Sequence, residues 1–346
     1  MTATALRAAD LPDTIAHELL GSLRVPRFAD VQAAAQAIAP YVRRTPLIHS
    51  ASLSERAGGN VWLKLECQQL TGSFKLRGAF NAILALNEEE RARGVVAYST
   101  GNHGQAIAWA ASKLGVPATI VMPVDAPRNK VEKALAKGAQ VVHYDRRIES
   151  REEIGMRLMS QSGASLVPPG DHPLVLAAQG TVALESVQDL PADEQARLGL
   201  FAAPCGGGGM MAGCCLALDA LVPTARRIAV EPEAVNDTVR SLASGQRETN
   251  PSTASSICDA LMAVTPAELP WAINGALLSG AVSVTDDEVL AAMRFGMEDL
   301  RLVLEPGGAV ALAALLAGKL SLQGQSAVIV LSGANVDLPL LRTALS

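Results

Sequence analysis

The sequence predicts an α/β protein of two lobes, each an open, mostly parallel sheet flanked by helices. Three observations predict it. Between residues 95 and 144, apolar runs of strand length alternate with stretches of helical spacing. Successive runs start 22–23 residues apart, the length of a βα unit on a parallel sheet. The same grammar returns after residue 200. Finally, 49% of the 346 residues are hydrophobic and only 18% charged, enough to bury a sizeable core.

Residues 1–24 read as an extension, with a short helix at "TIAHELLGSL" and no chemistry-bearing group. The run "VVAYS" (95–99) is a strand, followed by "NHGQAIAWAASKLG", whose apolar residues at 106, 107, 110, 111 and 114 have helical spacing that stops at Gly115. "ATIVM" (118–122) is the next strand, "NKVEKALAKG" a helix ended by Gly138, and "QVVHY" (140–144) a third strand. Later, "LFAAP" (200–204), a glycine run, the helical "MMAGCCLALDAL", "RIAVEP" and "SAVIVLS" (326–332) continue the pattern. Ligands in such sheets sit beyond the carboxyl ends of the strands. Ser99, Cys205, Glu231 and Ser332 all follow apolar runs and are expected to converge on one cleft.

Composition excludes several classes. A net charge of -5 with no Lys/Arg-rich block argues against a nucleic-acid or anionic-membrane surface. No apolar run reaches the roughly 18 residues that span a bilayer. The start of the chain lacks the basic–apolar–small order of a signal peptide. The five cysteines form no CxxC pair, and Cys214 and Cys215 read as small core residues. Their odd number fits a reducing cytosol.

Three stretches carry chemistry. In "CGGGGMMAG" (205–213), Gly206, Gly207, Gly208 and Gly209 lie between a strand and a helix, where inward-turned N–H groups and the helix N-terminus make a phosphate cradle. The stretch lacks the Lys-Ser/Thr of a nucleotide P-loop and does not match GxGxxG. Its bland alternative is a flexible turn, although each glycine costs conformational entropy. In "TGSFKLRGAF" (71–80), Lys75 stands at a strand–helix junction. Such a lysine is usually a solvated charge, but it becomes a catalytic amine once its pKa is lowered. A lysine and a phosphate cradle in one chain point to pyridoxal phosphate (PLP), which needs both. In "STGNHGQ" (99–105), Ser99, Thr100 and the backbone of Asn102 and His103 form an anion site suited to a substrate carboxylate. Its alternative is an ordinary N-cap.

The segments "RTPLIHS", "LKLECQQLTGSFKLRGA", "STGNHGQAIA", "AAQGTVALE", "CGGGGMMAG", "EPGGAVALAALL" and "SGANVD" occur in that order. With them the chain resembles, over roughly residues 28–340, the PLP-dependent threonine/serine dehydratases and the related serine racemases of the tryptophan-synthase-β fold type (fold type II). The resemblance implies that Lys75 carries PLP as an internal aldimine and, once freed, takes the α-proton as general base. Phe74 would pack beside the cofactor, Gly206 to Gly209 would hold its phosphate, Asn102 its ring hydroxyl, and Ser332 its pyridine nitrogen. A neutral serine makes a weaker electron sink than an aspartate, which favours expelling a β-hydroxyl over transamination. The resemblance further implies a large PLP-binding domain of residues 1–83 and 170–346, a small domain of 84–169, and a homodimer. Glu231 and Asp237, with the Val235 carbonyl, match the family's divalent-cation site, hard oxygen ligands suited to Mg²⁺ or Ca²⁺. A solvated acidic loop is the alternative.

The chain departs from the family at three places. Thr100 stands where racemases commonly carry a serine, which puts racemase activity in doubt. Gly170, in "VPPGDHP", stands where threonine dehydratases often have an aromatic residue and racemases an asparagine. If it lines the pocket, it opens room for a larger β-substituent such as that of 3-phenylserine. Arg151, in "IESREE", by contrast matches an arginine of the racemase-like branch and would receive a second carboxylate, as in 3-hydroxyaspartate, or merely pair with its glutamate neighbours. The chain also ends soon after "SGANVD", without the regulatory domain of biosynthetic threonine dehydratases, so feedback by isoleucine is not expected. The sequence therefore predicts a PLP-dependent dehydratase of 3-hydroxy amino acids, threonine/serine by family default. Serine racemization and a non-catalytic ligand-binding role are the competing readings. The last predicts loss of Lys75 or the glycine run, and both are present.

Overall fold

The computed structural model describes residues 24–346 apart from Thr100, Pro127 and Arg146. The helix expected at "TIAHELLGSL" and the side chain of Thr100 lie outside the described residues. In chain order the described strands are β1 (Leu47–His49), β2 (Asn60–Lys64), β3 (Val95–Tyr98), β4 (Ala118–Pro123), β5 (Gln140–Tyr144), β6 (Ser165–Leu166), β7 (Leu198–Pro204), β8 (Arg226–Pro232), β9 (Gly280–Val284) and β10 (Ser326–Val330). They form two sheets. The larger has the order β1-β2-β10-β7-β8-β9 and the smaller β5-β4-β3-β6. Every pair is parallel except β1 with β2.

β7 and β10 are buried at every residue, as central strands covered on both faces must be. The period of two sorts their side chains: Leu200, Ala202, Ala327 and Ile329 enter one core, Phe201, Ala203, Val328 and Val330 the other. The Pro306–Leu316 helix, "PGGAVALAALL", lacks a polar face and is almost wholly buried in the first core. Cys214 and Cys215 lie in the second core, fully buried, as the sequence predicts. Among the described residues no helix is long and apolar enough to cross a membrane.

Within this apolar frame lies a buried knot of charge. Arg77, two residues into the Lys75–Leu84 helix, is fully enclosed. It donates to both Glu66 oxygens (2.9 and 2.8 Å) and to both Glu185 oxygens (2.6 and 2.8 Å). Lys64 Nζ donates to Glu185 Oε2 at 2.7 Å and to the Thr45 carbonyl at 2.8 Å. Burial opposes the guanidinium charge, but the Glu66 and Glu185 carboxylates outweigh it and hold Arg77 above its ordinary range. The knot ties that helix to β2, the turn after it and the Thr181–Asp189 helix.

Removing one partner from such a knot strands buried charge. Arg77→Ala is therefore expected to lower the unfolding free energy by about 3–5 kcal/mol. Arg44→Ala, which loses an exposed pair with Asp189, is expected to cost at most about 1 kcal/mol. Urea unfolding of the two variants checks the difference.

Candidate active site

Lys75 opens the Lys75–Leu84 helix with Phe74 in the N-cap position. Its Nζ lies 5.1 Å from the centre of the Phe74 ring and donates to the Pro169 carbonyl at 2.5 Å. Burial without a compensating anion lowers its pKa to about 8, so the neutral, nucleophilic amine is accessible near physiological pH.

The residue after Pro169 is Gly170, and it faces the glycine run. A Cβ on Gly209 would come within 2.9 Å of Gly170 Cα, so neither backbone could close in if Gly209 bore a side chain. Gly208 has φ +90° and precedes the Gly209–Leu221 helix, which starts without a side-chain cap. The first N–H groups of that helix thus remain for a ligand, as a phosphate cradle requires. Asn274 holds the loop by donating to the Gly208 carbonyl at 3.1 Å.

A second uncapped helix begins at Asn102. Its N-cap is Gly101, so neither Ser99 nor Asn102 fills the capping role that was the alternative to an anion site. Ser99 Oγ instead accepts from Gly101 N at 3.2 Å. His103 is buried, with Nε2 2.8 Å from the Val167 carbonyl. A carbonyl only accepts, so Nε2 carries the hydrogen and Nδ1 is bare; that buried Nδ1 has no hydrogen-bond partner. Burial, and then the nearby Lys75 charge, press the His103 pKa down to about 3 and keep the ring neutral.

The Asn102 side chain is held from both ends. Its Nδ2 donates to Glu305 Oε1 at 2.6 Å, and its Oδ1 accepts from Asn335 Nδ2 at 2.7 Å. Sequence reasoning singles out neither Glu305 nor Asn335, although both lie inside quoted motifs. Ser332 is buried just past β10; its carbonyl accepts from Phe74 N at 3.2 Å, and Ser73 and Gly333 form a bridge beside it.

Glu231 departs from expectation. It lies within β8 rather than beyond it, and its carboxylate turns inward to accept from Thr238 N (3.1 Å) and Val239 N (2.9 Å). Those donors belong to the start of the Asp237–Ser244 helix, which satisfies its free N–H groups this way. Glu231 therefore joins Asp237 in a buried acidic pair whose charge is felt by Cys205, the residue before the glycine run. Neither carboxyl is exposed, which rules out a solvated acidic loop. Burial, reinforced by Asp237, raises Glu231 to about 8, and burial raises Asp237 to about 6. Asp237 Oδ1 accepts from Asn250 at 2.6 Å, whereas the buried Oδ2 has no hydrogen-bond partner. Val235 sits in the turn between them. Two desolvated carboxylates with an open oxygen fit a hard cation.

Arg151 is half exposed, pairs with Glu152 at 2.8 Å and lies 5.7 Å from the centre of the Tyr98 ring. Tyr98 adjoins Ser99 in sequence and also feels Asp171, the neighbour of Gly170. The pairing with a glutamate neighbour is thus present, on the flank of the Ser99 and Gly170 segments.

Residues 38–333 match the model of a family described as pyridoxal-phosphate dependent enzymes. The L-threo-3-hydroxyaspartate ammonia-lyase of Saccharomyces cerevisiae is 40% identical, over 93% of this chain and 97% of its own. The L-threonine ammonia-lyase of Thermotoga maritima is 38% identical, over 89% of this chain and 75% of its own. Among solved structures, maize serine racemase superposes with a TM-score of 0.86 at 35% identity, over 93% of this chain and 97% of that one. With a desolvated lysine and an uncapped glycine cradle in place, the chain belongs to the pyridoxal-phosphate dependent enzyme family.

Proposed function

We propose that the chain removes water from 3-hydroxy amino acids of the threonine/serine type, yielding a 2-oxo acid and ammonia. The observation that carries this reading is the desolvated Lys75 amine beside the Pro169–Gly170 segment, which in turn packs on the glycine run. Bound PLP supplies the electron sink that acidifies the α-carbon. Lys75 holds the cofactor through its amine and moves the α-proton once released. Gly206 to Gly209 bind the phosphate through N–H groups, Phe74 packs beside the ring, and Asn102 donates to the ring hydroxyl. Ser332 meets the ring nitrogen as a neutral partner. Ser99, Thr100 and the Asn102 and His103 N–H groups take the substrate carboxylate. We assign residues 1–83 and 170–346 to the large domain and 84–169 to the small one, in a cytoplasmic homodimer.

A second reading, 3-hydroxyaspartate with its second carboxylate on Arg151, is favoured by the Arg151 guanidinium lying 5.7 Å from the ring centre of Tyr98, the residue before Ser99. For Mg²⁺ or Ca²⁺ we assign Glu231, the Val235 carbonyl and Asp237, the ion neutralising a buried acidic pair rather than entering the chemistry.

Four outcomes are expected. The rate of PLP capture by apoprotein, followed by its visible absorbance, rises with pH through a midpoint near pH 8 and levels off about one pH unit higher, where the Lys75 amine is neutral. An unperturbed lysine would keep gaining to beyond about pH 10. Lys75→Ala loses both the lysine-bound absorbance and turnover. A matched panel of threonine, serine, threo-3-phenylserine and 3-hydroxyaspartate tests specificity through 2-oxo-acid release. A Cβ at Gly170 meets only Gly209 atoms, at 3.7 and 3.8 Å, so the first carbon of a side chain is accommodated there, and Gly170→Phe is expected to disfavour the larger substrates about tenfold or more. An unchanged selectivity ratio removes Gly170 from the pocket. Finally, Mg²⁺ at a hundredfold excess over its Kd stabilises the fold by about 2.7 kcal/mol. Asp237→Asn abolishes that gain in a thermal melt.

A further inference from the structure

Glu305 occupies the N-cap position of the Pro306–Leu316 helix, yet its side chain makes no capping hydrogen bond there. A carboxylate at that position ordinarily satisfies the first N–H groups of its own helix. Here it turns away to Asn102, which lies on the helix following β3. The turn needs space that Gly333 provides, because a Cβ on Gly333 would collide with Glu305 Oε1. Glu305 itself is 5% exposed.

The hydrogen bonds fix a direction. Asn335 Nδ2 donates to the Thr71 carbonyl at 2.9 Å, an obligate acceptor, so the Asn335 amide cannot be flipped. Its other hydrogen goes to Asn102, which identifies the Asn102 atom there as Oδ1. The opposite atom is therefore the Asn102 NH₂, and Glu305 accepts one of its two hydrogens. One donor of Asn102 is left over, with its orientation determined from both ends.

We propose that Glu305 is a positioning residue that, through Asn102, aims this remaining donor at the ring hydroxyl of the cofactor. The inference rests on the cofactor site proposed above. Asn335 still decides which end of Asn102 is the NH₂ when the carboxyl is replaced by an amide, but a neutral acceptor holds that NH₂ more weakly than a charged one, so the aim of the remaining donor loosens. Glu305 also brings a charge that titrates near neutrality. Burial raises its pKa to about 7, and Asp259 adds to the rise; Asn102, Lys130 and the Asn335 N–H act the other way. These groups face it from the Asn102–Leu114 helix, the Asp259–Leu261 turn, the Arg128–Leu135 helix and the loop past β10. A carboxylate close to the cofactor favours the protonated form of its lysine linkage, so losing the charge moves that titration to lower pH.

The test uses apoprotein reconstituted with PLP, reading cofactor Kd and the pH titration of the visible absorbance in Glu305→Gln, Asn102→Ala and the double variant. Glu305→Gln is expected to weaken PLP binding about tenfold, the scale of one charge-assisted hydrogen bond. It is also expected to lower the absorbance midpoint by about one pH unit. The loss of affinity vanishes in the Asn102→Ala background, as the cycle requires of a residue acting through Asn102, whereas the midpoint shift, which comes from the charge itself, persists there. Wild-type Kd and midpoint in Glu305→Gln overturn the proposal, as does a loss of affinity that persists undiminished without Asn102. If Glu305→Gln does not fold, Asn335→Asp is read in its place, since it replaces the donor that fixes the other end of Asn102; a native midpoint and Kd there are equally fatal. Failure of the wild-type apoprotein to bind PLP at all would instead overturn the cofactor site itself.

Discussion

The buried knot around Arg77 is the constraint on which the proposed site depends. A catalytic lysine on a long flexible stem is useful only if its helix cannot shift, and Lys75 is the first residue of its helix, where fraying is easiest. Arg77 holds that first turn by forked bonds to carboxylates from two other elements. Apolar packing alone would leave the helix freer to slide, because such contacts are not directional. The knot also balances: Lys64 and Arg77 face Glu66 and Glu185. Its net field at the neighbouring amine is accordingly small, and burial is the cause that dominates at Lys75. Rigid placement and a lowered lysine pKa are compatible here because the nearby charges cancel.

A second constraint is close approach of backbone. The Gly209 and Gly170 backbones pack directly on one another, Gly308 packs against Gly333, and Gly104 against the Ser99 carbonyl. Each contact would be blocked by a single methyl group. They bring a helix start, a strand end and a loop from different parts of the chain into one small volume. Only Gly208 among the residues of the 206–209 run needs a positive φ. Gly206 and Gly209 are explained by proximity, since a Cβ there would press on the Leu261 and Gly170 backbones, whereas a Cβ on Gly207 would meet only Ala267 at 4.0 Å.

Sequence made the repeating βα units legible because their signal is local. Ala118–Pro123, Gln140–Tyr144 and Asn102–Leu114 fall within a residue of their expected bounds. β1, β2, β6 and β9 escaped: three residues, two residues and a Gly-initiated run give little periodicity at β1, β6 and β9, and only the end of β2, from Leu63, entered a quoted motif. The family resemblance named Lys75 and the glycine run without geometry. What no local pattern could disclose was pairing at long range: Glu305 meets Asn102 across 203 positions, and Arg77 meets Glu185 across 108. The hydrogen-bond partners of Glu231 were hidden for the same reason. An apolar run ending in a carboxylate reads as a strand followed by a site residue, yet β8 continues through Glu231 to Pro232 because the start of the next helix supplies donors for the buried oxygens.

The proposed chemistry must bind two anions, the phosphate of the cofactor and the carboxylate of the substrate, and the chain meets both with backbone. Gly101 and Gly208 are N-caps that have no side chain, so the N–H groups of two helices face the ligand without competition. Helix ends carry partial positive charge that cannot be titrated and is not lost to solvent as a lysine charge is. Recruiting side-chain cations for the same task would place full charges beside Lys75 and oppose its protonated state further, as His103 would if it were not held neutral. The consequence reaches specificity. On the proposed reading, in which main chain holds the carboxylate common to every amino-acid substrate, side chains on the flank such as Arg151 would be left to discriminate the β-substituent. A change of substrate preference would then require altering residues such as Arg151 or Gly170 and would leave the anion-binding helix starts untouched.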